Sequence, residues 1–149
     1  LRAIECASDP LGLSILIYPE PRTGLEAKFS LQYCVAIAWL AGWPGLDAFS
    51  DARATAADVQ ALLRRVRVRS TRSADEEVEL IFSDGTRASE SVRIARGHPR
   101  NPLSDAQREA KLALCLEPAL GVQRARALVD AFASLESIRD VRDLAGRIA

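Results

Sequence analysis

The sequence contains no methionine, one histidine and no Cys-x-x-Cys pair. A lone histidine, His98, cannot supply the usual set of zinc ligands, so we expect no metal. No glycine-rich phosphate loop precedes a helix, so we expect no nucleotide or other cofactor. Because the chain begins at Leu1 and lacks methionine, we interpret it as a piece of a longer protein.

Disulfide pairing is also not expected. Cys6, Cys34 and Cys115 are odd in number, widely spaced and set in apolar surroundings. Cysteines of this kind indicate reduced thiols rather than a disulfide framework. We therefore expect a cytoplasmic protein.

Net charge and long apolar runs are lacking as well. Twenty basic and 20 acidic side chains cancel, so no overall field attracts nucleic acid or an anionic membrane. The longest apolar run, residues 33–41, falls well short of the roughly 20 residues that span a bilayer. With 48% hydrophobic and 27% charged residues, the composition is that of an ordinary soluble globular protein.

The first two thirds of the chain carry mixed helix and strand signals. Residues 1–7 and 12–18 predict two strands, or one strand and an irregular segment, separated by a turn at residues 8–10. A strand is predicted at 66–70, with Val66 and Val68 inward and the neighbouring arginines solvated. A hairpin of strands 77–82 and 87–95 is predicted, because the Asp84-Gly85 pair favours a tight primed turn.

Two helices are predicted in the same part. The first runs over residues 24–41, begins with a Thr23–Glu26 capping box and ends at Gly42. Because residues 33–41 are all apolar, we expect this helix to be enclosed on every side. The second helix spans residues 56–65.

After Gly97 the pattern becomes wholly helical. Ser104 and Gln107 predict a second capping box, ahead of a helix that should break at Pro118. Two apolar stripes at helical spacing follow. They consist of Ala125, Leu128, Val129, Phe132 and Leu135, and of Ile138, Val141, Leu144, Ala145 and Ile148.

The polar residues of the predicted helix at 24–41 lie near its start. Lys28 and Gln32 fall on one line of this predicted helix, while Glu26 and Ser30 fall on its other side. A single solvated face cannot hold both pairs, so one pair is expected to line a pocket or a domain interface. Lys28 is also unusual because 18 of the 20 basic residues are arginines.

Two blocks of the sequence stand in the same order as two motifs of a known family. The first block reads GLEAKFSLQYCVA at residues 24–36, followed by Gly42 and by LDAFSD at 46–51. The second reads GHPRNPLSD at 97–105, with Lys111 and Cys115 beyond it. Together they resemble the second half of the MmgE/PrpD family, which includes 2-methylcitrate dehydratase, cis-aconitate decarboxylase and iminodisuccinate epimerase.

The resemblance implies an α+β fold in two parts. Residues 1–97 would be a lid-type domain, incomplete at its N-terminus, with helices packed on a small antiparallel sheet. Residues 98–149 would be an all-helical tail belonging to a larger helical domain. The missing N-terminal helical domain would be the tail's partner, and the full-length protein would be a homodimer.

The resemblance also implies a reaction class. Family members act without metal on small di- or tricarboxylates such as 2-methylcitrate, by dehydration, decarboxylation or epimerisation. The shared step removes a proton next to a carboxylate, while positive groups stabilise the developing negative charge. The family's acid/base residues have no counterpart here, so we assign no catalytic residue to this chain and expect it to be inactive alone.

Three residues are candidates for substrate binding: Tyr18, Arg22 and Lys28. Arg22 precedes the Thr23 cap and Lys28 lies about one turn into the helix, where open N–H groups and the helix dipole favour carboxylates. Tyr18 could add a hydroxyl donor. The alternatives are a surface residue for Arg22, an ion pair at a domain interface for Lys28 and an edge of the core for Tyr18. Capping explains Glu26 without catalysis, and a structural role explains His98.

A second hypothesis is a noncatalytic α+β module that binds a partner protein through the apolar stripes of its tail. Size-exclusion chromatography separates the two hypotheses. A well-folded monomer without an exposed apolar patch indicates a self-contained module, whereas aggregation indicates a severed enzyme domain.

Overall fold

A computed structural model describes residues 1–73 and 75–146 of the chain. The chain divides into two compact units, Leu1–Ala95 and Arg96–Ala149. The first unit contains a sheet with helices, and the second consists of helices. The assignment of residues 1–97 to a lid and of 98–149 to a larger helical domain stays a prediction.

The first unit is built on a four-stranded sheet in the order β2-β1-β3-β4. Its strands are β1 Ala3–Ser8, β2 Val66–Ser70, β3 Glu76–Ile81 and β4 Arg87–Val92. The α+β class is confirmed. The sheet is mixed rather than wholly antiparallel, because β2 runs parallel to β1 after a long helical connection, while β3 and β4 follow as antiparallel neighbours.

The central strand β1 is buried along almost its whole length. On its core face, Ile4 and Cys6 pack with Val66, Leu62 and Ala36. The other face carries charges in ion pairs between strands, as expected from the two-residue period of a strand. The arginine-rich run is therefore the solvated side of β2, as predicted.

Helices between β1 and β2 form the second core of this unit. They are α1 Pro10–Ile15, α2 Gly24–Lys28, α3 Leu31–Ala41, a 3₁₀ helix Leu46–Phe49, α4 Asp51–Ala54 and α5 Ala57–Leu63. Their shared core consists of Ala27, Tyr33, Ile37, Ala48, Ala54, Val59 and Leu63. The predicted helix at 56–65 is confirmed as α5 within two residues at each end.

The prediction of a strand within residues 12–18 is wrong. The Asp9 carboxylate accepts hydrogen bonds from the N–H groups of Leu11 (2.7 Å) and Gly12 (3.0 Å). Pro10 then occupies the first helical position, where its missing N–H is not needed. The Asp-Pro pair, interpreted as a turn, is the start of α1.

The predicted single helix at 24–41 is two helices. α2 ends at Lys28, with Phe29 as its C-cap, and the buried Ser30 caps α3 by accepting a hydrogen bond from the Tyr33 N–H at 3.1 Å. Lys28 and Gln32 therefore belong to different helices, and a helical wheel gives no reason to place either polar pair in a pocket or a domain interface. Nor is α3 enclosed on every side, because Trp39 is 45% exposed.

The predicted hairpin is confirmed, but its turn is of another kind. Phe82 accepts a hydrogen bond from the Gly85 N–H (3.1 Å) and donates its own N–H to Thr86 (2.9 Å). Only Gly85 in this turn has a positive φ, of 88°, whereas a primed turn of type I′ needs two such residues. The connection is a three-residue loop in which glycine takes the left-handed position.

The second unit contains α6 Asp105–Leu120, α7 Val122–Ala133, a 3₁₀ helix Leu135–Ser137 and α8 Val141–Ala145. The capping box of Ser104 and Gln107 is confirmed, with both reciprocal hydrogen bonds present. The expectation that α6 breaks at Pro118 is wrong. Pro118 lies in the last turn, and the helix continues to Leu120 before it ends at Gly121.

The two predicted stripes form only a small core in this unit. Leu128, Ala131 and Leu144 are buried together, with Leu116, Leu120 and Ile138 packed around them. Phe132 and Leu135 are exposed. Ile148 and the side chain of Val141 lie outside the part of the chain that the structure describes. Among the described helices, none is both long enough and apolar enough to cross a bilayer.

Gly24 offers a direct test of how the first unit is packed. A Cβ atom there would lie 1.8 Å from the carbonyl oxygen of Phe49, which is backbone and cannot turn away. We expect Gly24→Ala to lower the free energy of unfolding by about 3 kcal/mol, the upper end of overpacking. Urea unfolding followed by tryptophan fluorescence measures this, because Trp39 and Trp43 both lie in the first unit.

The neighbouring Leu25→Ala variant is the control. Leu25 is 68% exposed, so we expect its truncation to change the free energy of unfolding by less than about 0.5 kcal/mol. An unchanged urea midpoint for Gly24→Ala would contradict the close approach.

The three thiols should differ in reactivity. Burial raises the pKa of Cys6 to about 11, which makes its thiolate about 100-fold scarcer than that of a thiol with a pKa of 9.0. Burial also raises the pKa of Cys34, whose thiol donates to the Ala27 carbonyl oxygen at 3.7 Å, whereas Cys115 is exposed. At pH 8, iodoacetamide should modify Cys115 first and Cys6 only after unfolding, as measured by peptide mass spectrometry. Equal rates at Cys6 and Cys115 would show that β1 is not buried.

Candidate functional site

The three predicted binding residues lie around the short helix α2. The Tyr18 N–H donates a hydrogen bond to the carbonyl oxygen of Phe29 at 3.2 Å, just past the C-terminal end of α2. Lys28 is the last residue of that helix. The Arg22 N–H donates to the Glu26 carboxylate at 2.6 Å, ahead of the N-terminal end. Tyr18 and Lys28 therefore belong to one end of α2, and Arg22 to the other.

The side chains of these three residues are accessible. Arg22 and Lys28 are exposed, and Tyr18 is 37% exposed. In the described ranges 1–73 and 75–146, no carboxylate forms an ion pair with Arg22 or Lys28. The ion pair considered for Lys28 is thus not made by the described residues. Both cations are available to a ligand or to another protein surface.

The N-terminal end of α2 is already occupied by carboxylates. The Gly24 N–H donates to the Asp51 carboxylate at 2.7 Å, and the Glu26 N–H donates to the Thr23 hydroxyl at 3.2 Å. The Glu26 carboxylate turns back to the Arg22 N–H instead of the Thr23 N–H, so only half of the predicted capping box forms. The helix start therefore offers few open N–H groups to an anion, and the positive charges that stay available near α2 are the side chains of Arg22 and Lys28.

Asp51 is a residue that sequence reasoning missed. It is the first residue of α4, which Ser50 caps by accepting a hydrogen bond from the Arg53 N–H. The contact between Asp51 and Gly24 spans 27 residues, so no local spacing rule reveals it. The LDAFSD run at 46–51 carries part of the family resemblance, but its local sequence does not reveal this contact.

A buried tyrosine holds the 3₁₀ helix against α3. The Tyr33 hydroxyl donates a hydrogen bond to the Ala48 carbonyl oxygen, and its ring lies 5.9 Å from the Phe49 ring, centroid to centroid. Burial, the largest influence, raises the pKa of Tyr33, so this hydroxyl remains a donor at neutral pH. The helix start of α2 and the segment that supports it are thereby parts of one packed framework.

Large apolar side chains are exposed near the candidate residues. Leu25 and Phe29 are four residues apart and belong to one face of α2 and its C-terminal cap. Further exposed apolar residues of the first unit are Leu11, Ile15, Ile17, Trp39, Leu40, Trp43 and Leu46. Exposed apolar residues such as the neighbouring pair Leu25 and Phe29 suit contact with other protein.

His98 holds a tight loop in the second unit. Its Nδ1 atom accepts a hydrogen bond from the Arg100 N–H at 3.1 Å, and its backbone pairs with Asn101. This geometry supports the structural role predicted for His98. Within the described residues, no group of three or more His, Cys, Asp or Glu side chains is placed to hold a metal ion.

Two shallow grooves do not involve the candidate residues. The first, about 620 Å³, lies on the solvated face of the sheet, where Arg69 and Glu77 form an ion pair of 2.9 Å across β1. The second, about 520 Å³, lies between α6 and α7. Neither is lined by Tyr18, Arg22 or Lys28. The three candidate residues are exposed at the surface and line neither of these grooves.

Comparison with known proteins assigns the family. The family model described as MmgE/PrpD C-terminal domain matches residues 1–137, which is most of the 149-residue chain. No curated protein sequence matches the chain. The match covers both motif blocks, the framework around α2 and most of the second unit. The chain belongs to the MmgE/PrpD family and carries the family's C-terminal domain.

Proposed function

We propose that this chain is the C-terminal part of a metal-independent enzyme that acts on small di- or tricarboxylates. The reaction is dehydration, decarboxylation or epimerisation, initiated by proton removal next to a carboxylate. The observation that carries the proposal is the family match over residues 1–137. The available cations at the two ends of α2 support it, because they suit an anionic substrate.

In this proposal the chain binds the substrate, and the proton is moved by residues of an N-terminal helical domain. Arg22 and Lys28 contact substrate carboxylates through charge-assisted hydrogen bonds, which are stronger than neutral ones. The same cations offset the negative charge that develops when the proton leaves. The Tyr18 hydroxyl donates a further hydrogen bond. No catalytic residue is assigned to this chain.

The exposed apolar residues support the proposal that other protein covers part of this chain. We propose the N-terminal helical domain as the partner across the face that presents Leu25 and Phe29, and a homodimer as the full-length cytoplasmic assembly. The exposed residues also favour the alternative of a noncatalytic interaction module. An activity assay separates the two, because only the enzyme converts a carboxylate substrate.

Substitution of the cations tests the substrate site in the full-length protein. The protein should convert at least one acid of a panel that contains 2-methylcitrate and cis-aconitate. Lys28→Ala and Arg22→Ala should each raise KM by about 10-fold or more, because a hydrogen bond to a charged group contributes about 1.5–3 kcal/mol. Steady-state kinetics with each acid measures both effects.

Lys111→Ala is the matched control, because Lys111 is the other lysine of the chain and is exposed on α6. It should leave KM within about twofold of the unsubstituted protein. Activity with an unchanged KM in both Lys28→Ala and Arg22→Ala would show that the substrate binds elsewhere. No conversion of any panel acid would favour the noncatalytic module.

The isolated chain should behave as an incomplete protein. We expect no turnover of the panel acids, self-association on size-exclusion chromatography and strong binding of a hydrophobic dye, because the apolar residues around α2 lack cover. A Leu25→Ser, Phe29→Ser variant should bind less dye than the unsubstituted chain. A monomeric chain that binds no dye would instead indicate a self-contained module.

A further inference from the structure

The contact between the start of α2 and the backbone of Phe49 and Ser50, just ahead of α4, is closer than ordinary packing requires. A Cβ atom on Gly24 would lie 1.8 Å from the Phe49 carbonyl oxygen and 2.6 Å from the Phe49 carbonyl carbon. No side chain fits between these two stretches of backbone. The position of the α2 start is therefore set by direct contact between main chains.

One carboxylate holds this contact together. Asp51 accepts the Gly24 N–H at 2.7 Å, a distance typical of hydrogen bonds to an ionised acceptor. Asp51 also lies in the first turn of α4, where its negative charge suits the helix dipole. A single side chain thus serves the starts of two helices.

Arg22 and Lys28 are tied to the same framework. Pro21, which is fully buried, precedes Arg22, and the Arg22 N–H is bound to the Glu26 carboxylate. Lys28 ends α2, whose buried Ala27 packs in the core with Tyr33. A shift of the α2 start relative to α4 would move the main chain that carries both cations.

We propose that Asp51 is a positioning residue that sets where Arg22 and Lys28 present their charges to the substrate. Asp51 acts on the substrate indirectly, through its hydrogen bond to Gly24 and the resulting position of α2. This inference rests on the proposed function. Small displacements of binding groups have large kinetic effects, because a misplacement of about 1 Å can cost about 100-fold in rate.

Three variants of the full-length protein test the proposal, assayed with the most active acid of the panel. Asp51→Ala removes the acceptor and should raise KM about 10-fold. Asp51→Asn keeps a neutral acceptor at the same reach and should hold KM within about threefold. Asp58→Ala is the control, because Asp58 also lies in the first turn of a helix but pairs with Arg53 and not with α2. It should leave KM unchanged.

A double-mutant cycle separates positioning from general loss of structure. If Asp51 acts through the cations, Asp51→Ala should raise KM by less than about twofold in a protein that already carries Arg22→Ala and Lys28→Ala. A full 10-fold rise in that background would overturn the proposal. If Asp51→Ala does not fold, Asp51→Ser, whose hydroxyl is too short to reach Gly24 but suits a helix start, replaces it in the cycle.

The outcomes also distinguish this inference from the proposed function. An unchanged KM in folded Asp51→Ala, with a raised KM in Lys28→Ala, overturns the positioning role and leaves the substrate site intact. An unchanged KM in Asp51→Ala, Lys28→Ala and Arg22→Ala overturns both.

Discussion

The backbone contact between Gly24 and the Phe49–Ser50 peptide is the constraint on which the first unit depends. It exists because glycine has no Cβ, and the Asp51 carboxylate secures it by accepting the Gly24 N–H at 2.7 Å. Tyr33 secures the other side of the same segment through its hydrogen bond to the Ala48 carbonyl oxygen. The short helices α2 and α4, too short to be stable alone, are held by these nonlocal contacts and by the core that they share.

The same contact leaves few open N–H groups at the start of α2. Asp51 and Glu26 use N–H groups at or before the α2 start, so the helix dipole is already matched by protein carboxylates. Two roles are thereby separate in the structure. Carboxylates of the protein position α2, while the side chains of Arg22 and Lys28 remain without acidic partners among the described residues. A site of this kind depends on long side chains held at the ends of a fixed helix.

Local signals in the sequence predicted the elements whose causes are local. The hairpin around Gly85, the strand at 66–70 and the capping box at Ser104 follow from turn chemistry, two-residue alternation and capping. Errors arose where one residue type serves two purposes. Asp9 is typical of a turn but caps α1, and Ser30 fits a helical pattern but caps α3. The hydrogen bond of Asp51 cannot be predicted from local patterns, because its partner Gly24 is 27 residues away. Which reaction the protein catalyses, and which residues act as acid and base, stay predictions from the family resemblance.

The central claim is that Arg22 and Lys28 bind substrate carboxylates from a helix held in place by Asp51. A crystal structure of the full-length protein with a bound tricarboxylate tests it most directly. We expect carboxylate oxygens about 2.7–2.9 Å from the Lys28 Nζ atom and from the Arg22 guanidinium, with the hydrogen bond between Asp51 and Gly24 retained. The account would be contradicted by a structure in which both cations pair with carboxylates of the N-terminal domain and the ligand binds elsewhere.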